Sequence, residues 1–315
     1  FSTIEWYRCN KYRHKYRLKE VLSLCGISRQ AHFKALQRQI NERSKAVLYI
    51  RMMEQVRQIH PGMGLRTMYE MLQPDGIGRD GFVALGLQEG FRLKSIEKQT
   101  RTTYSVKSNR YKNLLGEEVF DGINQLWSSD ITYFHLSDKF FYIVFIMDVY
   151  SRRIVGYSLA DNMRAENNLL ALQQALKLRG IRDYEGHLIH HSDKGSQYVS
   201  DDYTALLEQY GIRISMCNEV YENTHIERVN DTIKNQYLKR WDIDNVKELT
   251  YKLADAIKAY NEQRPHQSLN GMCPVEYEKY LETIENKKRK KMTIYTVKTD
   301  NTNRLDIQLD LFKQS

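Results

Sequence analysis

The 315 residues, 41% of them hydrophobic, suffice for two or three domains with a real core, and the longest apolar run, Phe140 to Met147, is far too short to cross a bilayer. Cys9, Cys25, Cys217 and Cys273 form no C-x-x-C pair, so neither a disulfide framework nor zinc-finger spacing is supported and a reducing cytoplasm is the simplest setting. The net charge of +9 is segregated: residues 121–280 carry 18 Lys or Arg against 23 Asp or Glu, while the remainder carries 30 against 16. Basic flanks for a polyanion around a cation-holding centre explain this better than a general solubility surplus does.

The chain opens on Phe1 without a visible signal peptide and reads as a fragment or as the latter part of a longer product. Leu18, Val21, Leu22 and Cys25 recur at helical spacing, Gly26-Ile27 turns the chain, and Ser28 can cap a helix with Ala31, Phe33 and Leu36. Over 1–44 this is a helix-turn-helix pattern whose outer Arg29, Gln30, His32 and Lys34 could meet phosphates and base edges; a plain helical hairpin fits equally well. Over 45–91, a helix from Lys45 to Ile59 carries Tyr49, Ile50, Met53 and Val56 on one side and stops at His60-Pro61-Gly62-Met63-Gly64. Leu65 to Leu72, the turn Pro74-Asp75-Gly76 and a helix from Arg79 to Gly90 complete a second helical module. From Arg92 to Lys112 seven basic residues face one acid, Glu97, so the 92–122 segment is a flexible linker or, as preferred here, a phosphate-binding arm with Tyr104 and Tyr111 for stacking.

An α/β core is expected over 123–240. Leu126 to Leu136, Phe140 to Tyr150 and Arg153 to Leu159 are strand-like, and a helix follows with Ala165, Leu169, Leu172 and Leu176 on one face. Strand His187 to His191, helix Ser200 to Tyr210, strand Ile212 to Met216 and a helix from near Asn223 complete the order βββαβαβα. Three carboxylates stand out. Asp130 interrupts the strand Trp127-Ser128-Ser129-Asp130-Ile131-Thr132-Tyr133, where aspartate is poorly suited. Asp193 leaves a strand in His190-His191-Ser192-Asp193-Lys194-Gly195-Ser196-Gln197-Tyr198, where ligands of α/β proteins gather. Glu227 lies at a helix start in Asn223-Thr224-His225-Ile226-Glu227-Arg228.

Two strand carboxylates and one helix carboxylate can make a magnesium site, but each has a plainer reading. Asp130 could be a hydrogen-bonded strand residue, Asp193 a turn former, and Glu227 one half of the capping box Thr224-His225-Ile226-Glu227. Against the last, Ile226, Val229, Ile233 and Tyr237 form a buried stripe with Glu227 at its edge and Lys234 on nearly the same face two turns later. His190 and His191, adjacent on a strand, point to opposite faces and make a poor zinc pair. No nucleotide-binding glycine motif is present.

The W-x-x-D-I-T strand, the H-S-D-x-G-S-Q-Y segment, Glu227 and Tyr260-Asn261-x-x-Arg264-Pro265-His266-x-x-Leu269 resemble the core of DDE transposases. These are bacterial insertion-sequence enzymes related to retroviral integrases, and within them the resemblance is to the group usually made by frameshifting between two reading frames. It implies a ribonuclease H-like core behind all-α helix-turn-helix modules, with the first and fourth strands side by side. Asp130 and Asp193 would then meet despite 62 intervening residues. It further implies Asp130, Asp193 and Glu227 as catalytic residues and ligands of two Mg2+ ions, with Mn2+ able to substitute. Its partners would be double-stranded DNA, as terminal inverted repeats and target, and a second copy of the chain, in a bacterial, nucleoid-associated cytoplasmic setting.

His60-Pro61-Gly62-Met63-Gly64-Leu65-Arg66 matches a segment recurring in that group, and Arg66, Arg101, Lys107, Arg110, His191 and Lys234 join the four helix-turn-helix residues as expected DNA contacts. Only 33 residues separate Asp193 from Glu227, slightly fewer than usual in the group, and Cys217-Asn218-Glu219-Val220 replaces its basic, glycine-containing loop, leaving Glu219 and Glu222 as backup carboxylates.

The residue types suit the chemistry. In-line phosphodiester transfer needs charge neutralised on the attacking and leaving oxygens, which two divalent ions about 3.5–4 Å apart supply. Magnesium keeps several waters, so three carboxylates suffice, with Asp130 as the bridge. A metal-dependent nuclease of the same fold and a DNA-binding regulator with an inactive core are the alternatives. Over 241–285, Val246, Leu249, Leu253, Ile257 and Tyr260 mark an amphipathic helix and Pro274 starts another. The 286–315 tail holds the basic run Lys287 to Lys291 and an alternating stretch, Arg304 to Leu311, readable as an edge strand or a partner contact.

Overall fold

The computed structural model describes residues 16–96, 110–218 and 220–294. Two compact units partition the chain: 16–59 with 63–94, and 60–62 with the described residues from 95 onward. The first is all helical, with α1 Leu18–Leu24, α2 Arg29–Ile59, α3 Leu65–Leu72 and α4 Arg79–Gln88. Gly26 turns the chain at φ +66°, and the Ser28 hydroxyl accepts the Ala31 amide at 3.1 Å, the cap expected of it.

The two helices read on either side of residue 44 are one. No glycine or proline falls between Arg29 and Ile59, so nothing stops the helix once Ser28 has started it. The unit's core is Tyr49, Met53, Val56, Met63, Leu65, Met68 and Phe82, which gathers the last turns of α2 against α3 and α4.

The second unit is built on a five-stranded sheet of β2 Leu126–Leu136, β3 Lys139–Asp148, β4 Ile154–Ala160, β5 Ile189–Ser192 and β6 Arg213–Met216, in the order β4-β3-β2-β5-β6. The first three form an antiparallel meander, while β5 and β6 add in parallel beyond β2. Parallel neighbours need crossovers, and α5 Ala165–Arg179 and α6 Asp201–Gln209 supply them. With α7 Thr224–Asp231, the expected βββαβαβα order is realised.

Strand alternation sorts the core into two layers. Trp127, Val144 and Ile146 pack with Leu172, Leu176 and Leu207 of α5 and α6. Leu126, Phe145, Met147 and Ile189 pack with Ile226 and Val229 of α7 and with Leu249, Leu253 and Ile257 of α8 Val246–Glu262. Gly156 lets α5 lie close on β4, because a Cβ there would fall 2.1 Å from the Ala171 carbonyl oxygen.

One pairing had no signal in the sequence. β1 Val119–Phe120 joins β7 Met292–Thr293 in a two-stranded antiparallel ribbon, so the end of the basic linker meets the start of the tail. Each strand is two residues, too short for alternation to show, and burial of Phe120 and Ile294 is what holds it. The alternating stretch from Arg304 lies outside the described residues.

A buried charge cluster fastens α9 Pro274–Glu282 to the sheet unit. Arg179, at the end of α5, reaches Asp148 Oδ2 at 3.1 Å and Glu278 Oε1 at 2.6 Å, and Glu278 also accepts the Ser151 hydroxyl at 2.7 Å. Removing the shared guanidinium leaves two carboxylates buried without it. Arg179→Met should therefore cost about 3–5 kcal/mol of stability in urea unfolding; a loss under about 1 kcal/mol would show that the cluster does not hold α9 in place.

Candidate active site

The site begins with register. In the parallel ladder Ser128 pairs with His191 and Ser129 with Ser192, so Asp193, the residue after β5, emerges beside Asp130. Alternation puts Ser128, Asp130 and Thr132 on the face that α7 covers, while Trp127 and Ser129 face the other way. Glu227 comes from the first turn of α7.

Electrostatics tie the three together. The Asp130 carboxyl is pushed up to about 8, first by burial, then by the negative charge of Asp193 and, further down, of Glu227. Burial also raises Asp193 and Glu227. Among the described residues the ion pairs lie elsewhere, and the cation whose charge Asp130 feels is the Lys234 ammonium. Two strand carboxylates and one helix carboxylate, with Asp130 feeling the charge of both others, suit a hard divalent cation.

Each carboxylate is held by neighbours. Asp130 Oδ2 accepts the Asn230 amide at 2.6 Å, from the α7 turn after Glu227. Asp193 Oδ1 accepts the Gly195 amide at 3.0 Å, and a Cβ on Gly195 would sit 3.0 Å from that same oxygen and 2.9 Å from Gln197 Oε1. Below that loop, the Tyr198 hydroxyl meets Ser129 Oγ at 3.0 Å, and Ser129 Oγ donates to the Phe145 carbonyl at 3.0 Å. Asn223, and not the Thr224 of the alternative capping-box reading, is the cap residue of α7, without a side-chain cap bond. Asn223 instead bonds across to Ser128 Oγ and donates to the Ser129 carbonyl, pinning the helix start to β2.

Asn223, Asn230 and Tyr198 were not singled out in the sequence. Asn230 left one signal, a poor helix former inside a helix one turn beyond a candidate ligand.

The other expected residues divide. Lys234, on the π-helical turn Thr232–Tyr237, donates to Thr132 Oγ1 at 3.1 Å and lies 4.6 Å above the Tyr133 ring, so its ammonium is on Asp130's face. His191 corrects the expectation of a DNA contact. It is buried, its Nδ1 is 2.9 Å from Ser215 Oγ and its Nε2 3.0 Å from Cys217 Sγ, and burial pushes its pKa down to about 3. His190 faces the opposite layer and meets the Tyr203 hydroxyl at 2.9 Å, so the two histidines do point apart.

Glu222 is buried and accepts the Asn218 amide at 2.6 Å. Arg110 donates to the Val199 carbonyl at 3.1 Å, beside the Asp193 loop. In the helical unit Arg29, Gln30 and Lys34 are exposed on the first turns of α2 with His32 partly covered, and Arg66 is exposed on α3. Arg101, Lys107 and Glu219 lie outside the described residues.

Comparison with known proteins decides the family. An integrase core domain matches residues 121–220 and a second integrase core family matches 210–274. The chain is 32% identical over 265 residues to the 31 kDa protein of insertion element IS600 from Shigella sonnei, spanning 81% of this chain and 96% of that one. The chain belongs to the insertion-sequence transposases with an integrase-type core. The transposase of insertion sequence IS629, also from Shigella sonnei, is 31% identical over 72% of this chain and 77% of its own. The HTLV-2 integrase catalytic core domain, solved in complex with magnesium, aligns with 50% of this chain and 97% of its own at 20% identity and a TM-score of 0.42. Transposases of this family are DDE polynucleotidyl transferases. Among the described residues no helix is long and apolar enough to cross a membrane.

The Asp130 shift makes a signed prediction. A carboxyl whose pKa is higher folded than unfolded binds more protons in the native state, so stability falls as pH rises from about 4 to about 8. Without divalent ions, Asp130→Asn should therefore gain stability over the parent across that range, the gap widening with pH in urea unfolding. A gap that did not change with pH would mean that Asp130 is not held in a repulsive field.

Proposed function

We propose that this transposase cleaves DNA at the terminal inverted repeats of its element and joins a freed 3′-hydroxyl to target DNA, using Asp130, Asp193 and Glu227 as ligands of two magnesium ions. The observation that carries the reading is the parallel register that brings Asp193 beside Asp130, where the Asp130 carboxyl feels both Asp193 and, from the first turn of α7, Glu227. When bound there, divalent ions would ease deprotonation of the attacking oxygen and offset charge on the leaving one, with Mn2+ able to replace Mg2+.

The chain's own groups do the positioning. Asn230 holds one Asp130 oxygen, the Gly195 amide orients Asp193, Asn223 fixes the start of the Glu227 helix, and Lys234 offers an ammonium to a phosphate. Replacing Asp130, Asp193 or Glu227 by Ala should leave affinity for end DNA within about twofold and lower magnesium-dependent nicking and joining by at least about a thousandfold. If Glu227→Ala still joins strands, the helix carboxylate is misassigned; a parent enzyme that nicks end DNA but never joins it would favour the nuclease reading.

End recognition belongs, in this reading, to the helical modules over 1–44 and 45–91, with 92–122 as a backbone-following arm and the 123–240 core followed by 241–285 and 286–315. Support comes from the charge segregation and from Arg29, Gln30, Lys34 and Arg66 being exposed. One core carries one carboxylate set while two ends must be joined, so the working complex holds at least two chains. Each phosphate contact removed lowers the log–log salt slope of binding by about one. The triple variant Arg29→Ala, Lys34→Ala, Arg66→Ala should accordingly bind end DNA with a slope shallower by about two to three and with reduced preference for ends over other DNA. An unchanged slope and preference in gel-shift competition would take recognition away from these helices.

A further inference from the structure

A second cluster of ligand atoms lies beside the carboxylates, at the ends of β5 and β6, near enough for Cys217 to feel Asp193, Asp130 and Glu227. β5 and β6 pair His191 with Ser215, Cys217 follows β6, and Glu222 stands in the turn Val220–Asn223 that leads into α7. One ligand atom from each of His191, Cys217 and Glu222 lies within 4.8 Å of the other two. All three residues are buried, at 1%, 7% and 5% exposure. Cys217 Sγ is 3.0 Å from His191 Nε2, and His191 Nδ1 is 2.9 Å from Ser215 Oγ.

We propose that His191, Cys217 and Glu222 bind a single zinc-type ion, distinct from the magnesium ions of the carboxylate site. The chemistry separates the two sites. One sulfur, one imidazole nitrogen and one carboxylate oxygen make a borderline-soft set that suits zinc and its neighbours, whereas magnesium takes oxygen donors. With Ser215 accepting from Nδ1, the Nε2 lone pair points at the cluster, and such an outer partner is what fixes a ligating histidine's tautomer and orientation. Tetrahedral bonds of about 2.3 Å to sulfur and about 2.0 Å to nitrogen place those atoms about 3.5 Å apart, so the pair needs to open by only about half an ångström. Water completes the fourth position.

The ion's role follows from where its ligands come from. It ties the ends of β5 and β6 to the turn before α7, the turn that ends in Asn223 and sets the entry of the helix bearing Glu227. Binding there stiffens the loop that places the third carboxylate.

Cobalt(II) is the probe, because a thiolate ligand gives it a near-ultraviolet charge-transfer band and tetrahedral geometry gives intense visible bands. Full-length protein in excess magnesium should show both at one equivalent of cobalt, and one equivalent of zinc should displace them. Cys217→Ser should lose the charge-transfer band and Glu222→Gln should weaken cobalt affinity at least tenfold, whereas Asp130→Asn should keep both. Absence of the band in the parent, or a band unchanged in both Cys217→Ser and Glu222→Gln, overturns the site. The Asp130→Asn result keeps this test separate from the magnesium reading.

Discussion

The parallel pairing of β2 with β5 is the constraint on which the active end of the sheet depends. Asp130 and Asp193 are far apart in the chain, and only that ladder, with Ser129 opposite Ser192, sets their side chains beside each other. The ladder in turn requires a crossover, and the close seat of α5 on Gly156 is what lets the chain return in parallel without lifting off the sheet. A slip of one residue would turn Asp130 into the layer of Trp127 and put Ser129 in its place.

Bringing carboxylates together costs stability, and the surrounding polar bonds show how the fold absorbs that cost. Asn230, the Gly195 amide, and the Tyr198–Ser129–Phe145 chain hold the two aspartate segments where repulsion would part them. Neutral donors hold an aspartate without cancelling its charge, so the negative potential stays available to a cation. The buried ion pairing of Arg179 with Asp148 and Glu278 sits away from the site, where it fastens α9. Charge is paired directly where it is structural, while at the site only the Lys234 ammonium stands near Asp130.

Much of this was legible in the sequence because it rests on local pattern. The 11-residue run Leu126–Leu136 shows as a strand at both of its ends, and Asp130 stands out within it because aspartate fits a strand badly. What escaped depends on distance in the chain. The break assumed near residue 44 had no breaker residue behind it, and α2 runs through. Thr224-x-x-Glu227 has the letters of a capping box, yet Asn223 takes the cap position and spends its side chain on β2. The β1–β7 ribbon and the His191, Cys217 and Glu222 cluster join segments with no shared spacing, so no motif could announce them.

The central claim is that Asp130, Asp193 and Glu227 act as one cation site. The most direct measurement is anomalous scattering from manganese in crystals of the full chain bound to end DNA. The account predicts manganese peaks within bonding distance of the Asp130 and Asp193 carboxylates, with Glu227 completing the set, and their loss in Asp130→Asn. Manganese that binds elsewhere, or that stays in place when Asp130 is changed, would contradict it.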